Sequence, residues 1–145
     1  MNASKVSIQQ QLKNHLIAII SLFIAVSSLA YNTWRNEVTE YNRNVRTSSF
    51  EVLMSLTQLQ LLIDYAFYDD NNTKQDPIKG WSYVLYMEDL AQTISPQTES
   101  QIDDLKSTWQ QHWQQVDNNK ESVDLLTKEI SESRKLVLKT LKQLH

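Results

Sequence analysis

One long uncharged stretch near the start of the chain limits what the rest can be. Residues 16–31 read LIAIISLFIAVSSLAY, and the segment 15–34 around them contains no Asp, Glu, Lys or Arg. This length of about 20 residues is what an α-helix needs to cross a hydrocarbon core of about 30 Å. Tyr31 and Trp34 lie at its end, where aromatic residues favour the lipid–water interface. The sequence therefore predicts a transmembrane helix over 15–34.

Two other structures are compatible with such a stretch. One is the buried core helix of a soluble protein, although a core helix in a small protein normally shows a polar face. The other is a cleaved signal peptide, because Leu16 to Val26 is similar to its apolar region and Ser28, Leu29 and Ala30 offer small residues at a cleavage site. Helical periodicity continues past Ala30 without a Pro or Gly. We therefore expect an uncleaved anchor.

The basic residues around this segment bear on its orientation. Lys5 and Lys13 precede it, and Arg35, Arg43 and Arg46 follow it. The count of basic residues nearly balances, but a short basic tail before a first apolar helix usually stays in the cytoplasm. We expect residues 1–14 to form a short cytoplasmic tail and the C-terminal domain to lie in the periplasm of a bacterium, which predicts a single-pass protein of the inner membrane.

Composition restricts the remainder to helices. The 145 residues include one Gly, two Pro and no Cys, so few tight turns can form and disulfides and thiolate metal sites are excluded. The formal net charge of −3 argues against nucleic acid as a partner. The predicted fold class is all-α, with the transmembrane helix continuing into an antiparallel bundle of three or four helices over 35–145.

The first helix of this bundle is a stem predicted over 35–67. Val38, Val45, Val52, Leu59 and Ala66 follow one another at intervals of seven. That spacing holds one apolar seam against a neighbouring helix for several turns. The sequence leaves open whether the neighbour belongs to the same chain.

Local signals divide the remaining residues. We predict a polar loop over 68–76 and helices over 77–94, 96–117 and 119–144. Asp76 before Pro77 and Ser95 before Pro96 are typical helix starts. Asn118 and Glu121 are spaced as a capping box before the last helix. The short connections favour antiparallel neighbours.

The chain offers little for catalysis. The acidic run from Asp69 is a poor calcium loop, because its sixth position is Lys74 and its twelfth is Gly80, where glycine and glutamate are required. The three histidines are far apart in the sequence, and no combination of Ser, His and Asp is evident. We predict no catalytic residue, no metal site, no cofactor and no enzymatic activity.

Several residues resemble those of a family of small single-pass bacterial inner-membrane proteins of uncharacterised activity. They are the YNTWRNE motif at 31–37, then Asn42, Arg43, Asn44, Arg46, Phe50 and Glu51, and the group Asp76, Pro77, Gly80 and Trp81. The resemblance implies a bacterial inner membrane and no particular activity.

Two functions follow as expectations. The first is an interaction, scaffold or accessory subunit that contacts the lipid bilayer and either another membrane protein or a second copy of itself. Its predicted partner-binding residues are Val38, Val45, Val52, Leu59, Arg35, Arg43 and Arg46. The alternative is a periplasmic ligand-binding or sensing module whose aromatic pocket contains Trp81, Trp109 and Trp113, because aromatic side chains can line a pocket for a flat ligand as well as fill a core.

Overall fold

The computed structural model describes residues 8–68 and 76–144, and all regular structure in these residues is helical. The helices are α1 (Ile8–Tyr68), α2 (Gly80–Ala91), α3 (Pro96–His112) and α4 (Lys120–Gln143), with 3₁₀ turns at Pro77–Lys79 and Trp113–Gln115. The all-α fold class is confirmed, since a long N-terminal helix is followed by shorter helices that pack against each other.

The chain divides into two units, Met1–Tyr41 and Asn42–His145. The sequence predicted a helical domain that begins at residue 35, and the division into units leaves residues 35–41 with the first unit. Burial gives the reason. Val38 and Tyr41 remain exposed, and Val45 is the first buried apolar residue among those of α1 whose side chains the structure describes.

The first unit contains a helix that is long and apolar enough to cross a membrane. None of the residues in its apolar window is buried within the protein. Phe23 and Leu29, for example, expose 73% and 69% of their surface. A core helix of a soluble protein would hide these side chains, so this run is not part of a protein interior.

The second unit has one apolar core to which all four helices contribute. Its buried members on α1 are separated mostly by three, four or seven residues, as expected for one face of a helix. The core consists of Val45, Val52, Leu56, Leu59, Leu62, Ile63, Ala66, Val84, Met87, Ala91, Ile94, Ile102, Leu105, Trp109, Val116, Val123, Leu126, Ile130 and Val137.

Side-chain caps fix where the helices of this unit begin. Asp76 Oδ1 accepts a hydrogen bond from the Ile78 amide at 3.0 Å, and Ser95 Oγ accepts one from the Thr98 amide at 3.1 Å. The last helix is capped by Asn119, whose Oδ1 accepts from the Ser122 amide, and not by Asn118 as the spacing suggested. Each cap satisfies an amide that has no partner within its own helix.

Polar contacts also connect neighbouring helices. Lys106 Nζ of α3 donates to both carboxylate oxygens of Glu88 on α2 at 2.7 Å. Between α1 and α4, Gln60 Nε2 donates to Thr127 Oγ1 and Arg134 Nη2 donates to Thr57 Oγ1. The contact at residue 60 of α1 is with residue 127 of α4, and the contact at residue 57 is with residue 134. The residue numbers therefore run in opposite directions along the two helices, which are antiparallel.

Candidate interaction surface

Most of the predicted seam on α1 packs in the core of the second unit. Val45, Val52 and Leu59 expose at most 1% of their surface and belong to the core. A partner could reach them only if the unit opened, so they are not available for docking in the folded chain. Val38, the remaining seam residue, is exposed and belongs to the first unit.

The opposite side of α1 carries a second set of large apolar side chains that the core does not use. An α-helix turns by about 100° per residue, which places this set within about 60° of arc, facing away from Val45, Val52 and Leu59. We call it the outer stripe; it consists of Phe50 (57% exposed), Met54 (60%), Leu61 (42%), Tyr65 (48%) and Tyr68 (64%).

The spacing along the outer stripe suits an undistorted helix. Phe50 and Leu61 are eleven residues apart, as are Met54 and Tyr65. Eleven residues make three turns of nearly ideal geometry, so the stripe keeps its direction without supercoiling. Leu61, Asp64, Tyr65 and Tyr68 line an open surface groove at its C-terminal end. Exposed apolar patches of this kind mark interaction sites in soluble domains.

Charged groups lie at both ends of the outer stripe. Arg43 and Arg46 are exposed just before Phe50. Near Tyr68, Lys120 Nζ donates to Asp124 Oδ1 at 3.1 Å, and this hydrogen bond, the Asp124 charge and the nearby Tyr68 raise the pKa of Lys120. Arg35, the third predicted arginine, is exposed in the first unit.

The three tryptophans of the alternative function are packed against the chain itself. Trp109 has no exposed surface, and a Cβ atom added at Gly80 would overlap its Cζ2 and Cη2 atoms. Trp81 and Trp113 are half-buried and meet edge to face with ring centroids 6.5 Å apart. Such contacts are typical of aromatic core packing. The indole Nε1 of Trp109 is buried without a hydrogen-bond partner.

A contact between a serine and a histidine was not predicted from the sequence. His112 Nδ1 and Ser122 Oγ are 2.9 Å apart, and Ser122 Oγ donates to Gln115 Oε1 at 3.2 Å. Ser122 is buried and its hydroxyl is satisfied by side chains at the connection between α3 and α4. The residues are ten apart in the sequence and on different helices, so no local signal predicted the contact.

Metal-binding groups do not converge in the described parts of the chain, where no three His, Cys, Asp or Glu side chains come together. The acidic run considered as a calcium loop falls largely on residues 69–75, which lie outside the described residues.

Comparison of the chain with protein family models, with curated proteins and with solved structures finds no match.

Proposed function

We propose that the chain is a single-pass membrane protein whose helical domain docks on other membrane components as a scaffold or accessory subunit. The observation that carries this proposal is the full exposure of the apolar run in the first unit. Its large exposed side chains are Leu16, Ile17, Ile19, Ile20, Leu22, Phe23, Ile24, Val26 and Leu29. Complete burial of one such side chain is worth about 1.5–3 kcal/mol, and these side chains are at least half exposed, so lipid is the favoured surrounding.

Docking is supported by the outer stripe of the second unit. A domain that acted alone would gain nothing from five large apolar side chains facing water on one helix. Their burial against a partner removes that apolar surface from water, which is the main driving force of association. In the proposed bacterial inner membrane, residues 1–14 lie in the cytoplasm and the docking domain lies in the periplasm.

The chain contains no cysteine, so a single introduced cysteine is the only thiol that a maleimide can label, and its labelling reports the orientation of the chain in the membrane. In intact bacterial spheroplasts, a membrane-impermeant maleimide should label Glu99→Cys, an exposed position on α3, and should label Lys13→Cys only after permeabilisation. The reverse pattern would place the domain in the cytoplasm and overturn the proposed orientation.

Docking is tested by a variant of the outer stripe and a matched control. Chemical crosslinking in native membranes should give species heavier than the chain, and Phe50→Glu with Met54→Glu should abolish them. Leu85→Glu with Tyr86→Glu changes two apolar residues of similar exposure on α2 and should leave them unchanged. Equal loss in both variants, or no heavier species in the parent, would contradict docking through the outer stripe.

A further inference from the structure

We propose that the partner seated on the outer stripe is a second copy of this chain, with the two α1 segments parallel and in register. This inference rests on the proposed function and specifies its partner. It concerns the part of α1 within the second unit, from Arg46 to Tyr68.

The exposed area of the outer stripe suits a pair of identical copies. The five side chains of the outer stripe are on average about half exposed, and large apolar side chains have about 200 Å² of surface each. One copy therefore offers about 500 Å², and two identical faces bury about 1,000 Å² together. That is the lower threshold for a biological interface, and a symmetric dimer that buries both outer stripes completely reaches it.

The charges beside the outer stripe are complementary across the proposed pair. Arg46 lies on one flank of the outer stripe and Glu51 lies on the other flank, five residues later; Arg46 is exposed and Glu51 is half-exposed. In a parallel pair of helices, flanking positions spaced in this way meet across the seam. Two-fold symmetry then brings Arg46 of each copy to Glu51 of the other, which gives two attractive contacts.

An antiparallel pair does not bring these two charges together. If the stripe were paired with itself in reverse, Glu51 would face the aromatic residues near Tyr65 and not Arg46. The charges therefore favour the parallel arrangement.

The first unit, taken by itself, carries a feature that agrees with self-association. Ala18, Ser21, Ala25 and Ser28 follow one another at intervals of three and four within the apolar run, so they share one side of the helix. Small residues allow membrane helices to approach each other closely. This feature supports a second copy as the partner, while the outer stripe carries the proposal.

Disulfide crosslinking of the full chain in native membranes tests the register. Phe50→Cys, Met54→Cys and Leu61→Cys should each form a dimer at twice the 17.0 kDa chain mass on mild oxidation, because each residue of the outer stripe meets its own copy in a parallel, in-register pair. The exposed control variants Leu85→Cys and Glu99→Cys should give at least tenfold less dimer. Crosslinking at none of the three positions, or at Leu61→Cys alone, would overturn the parallel pair.

Charge reversal tests the flanking contacts. Arg46→Glu and Glu51→Arg should each lower the yield of the Met54→Cys dimer by about three- to tenfold, since two exposed ion pairs become repulsive. Combining both reversals should restore it, while no recovery would contradict the Arg46 to Glu51 contact. Circular dichroism of each variant establishes that the helices are intact.

A photo-crosslinker at position 54 separates this inference from the function on which it rests. A dimer band supports the second copy. A heavier species without a dimer band would overturn the second copy and leave docking intact. Loss of the protein from the membrane fraction would overturn both.

Discussion

Replacing Gly80 with alanine tests the closest packing in the second unit. Gly80 is buried at the first position of α2, and a Cβ atom there would overlap Cζ2 and Cη2 of the Trp109 ring. The overlapping atoms belong to a rigid bicyclic ring, and Trp109 has no exposed surface. The ring therefore cannot move aside without displacing other core residues.

The substitution has two opposing effects on the free energy of unfolding. Alanine in place of glycine in an open helix would stabilise the fold by about 0.5–1 kcal/mol. An extra methyl group in a packed core costs about 1–3 kcal/mol, and overlap with a rigid ring favours the upper end of that range. We expect Gly80→Ala to lower the free energy of unfolding by about 2 kcal/mol, or about 30-fold in the folding equilibrium.

A second substitution identifies the cause. Trp109→Phe provides a smaller ring and removes an indole N–H that is buried without a partner. The double variant Gly80→Ala with Trp109→Phe should therefore be more stable than the sum of the single changes predicts, by at least about 1 kcal/mol. Trp34→Phe, the same change at an exposed position of the first unit, should combine additively with Gly80→Ala.

Urea titration of the full chain in mild detergent, followed by circular dichroism at 222 nm, measures these free energies. A Gly80→Ala protein as stable as the parent would refute the packing of Trp109 on Gly80. So would additivity of Gly80→Ala with Trp109→Phe.

Further substitutions test the two faces of α1 and the start of α3 by the same titration. Val52→Asp should lower the free energy of unfolding by more than about 4 kcal/mol because it buries a charge in the core. Met54→Asp on the outer stripe should change the free energy of unfolding of the monomer by less than about 0.5 kcal/mol. Similar losses in the two variants would contradict the assignment of the faces. Ser95→Ala should cost about 1 kcal/mol because it removes the cap of the Thr98 amide, and Ser100→Ala, an exposed change on the same helix, should cost almost nothing. Equal effects of the two serine changes would rule out the capping role of Ser95.

Features set by local chemistry could be predicted from the sequence. The all-helical fold follows from the scarcity of glycine and proline. The starts at Pro77 and Pro96 follow from Asp76 and Ser95, because a cap and a first-turn proline act within four residues. The end of α3 at His112 had no comparable signal, since helix ends without glycine or proline are weakly marked.

The use of each face of α1 could not be read from periodicity. The sequence shows apolar residues at intervals of seven through Val45 and Val52, and another apolar set through Phe50 and Met54. Both patterns fit a helix with a neighbour. Which face the chain covers itself depends on how α2, α3 and α4 fold back, and that information lies in contacts between distant residues.

The presence of Gly80 also could not be explained from the sequence alone. Local propensity makes glycine unfavourable within a helix, and the reason for its presence lies in Trp109, on the next helix. The contact of His112 with Ser122 was likewise invisible, since it connects two helices across a 3₁₀ turn. Sequence reasoning found the elements and missed the contacts between them.

The central claim is that the apolar run stays in the bilayer as a permanent part of the chain. Its most direct test is the intact mass of the mature protein in carbonate-washed membranes of the cells that produce it. We expect the protein to remain in the membrane pellet with its apolar helix attached. Recovery in the soluble fraction of a chain that begins at Tyr31 would contradict it.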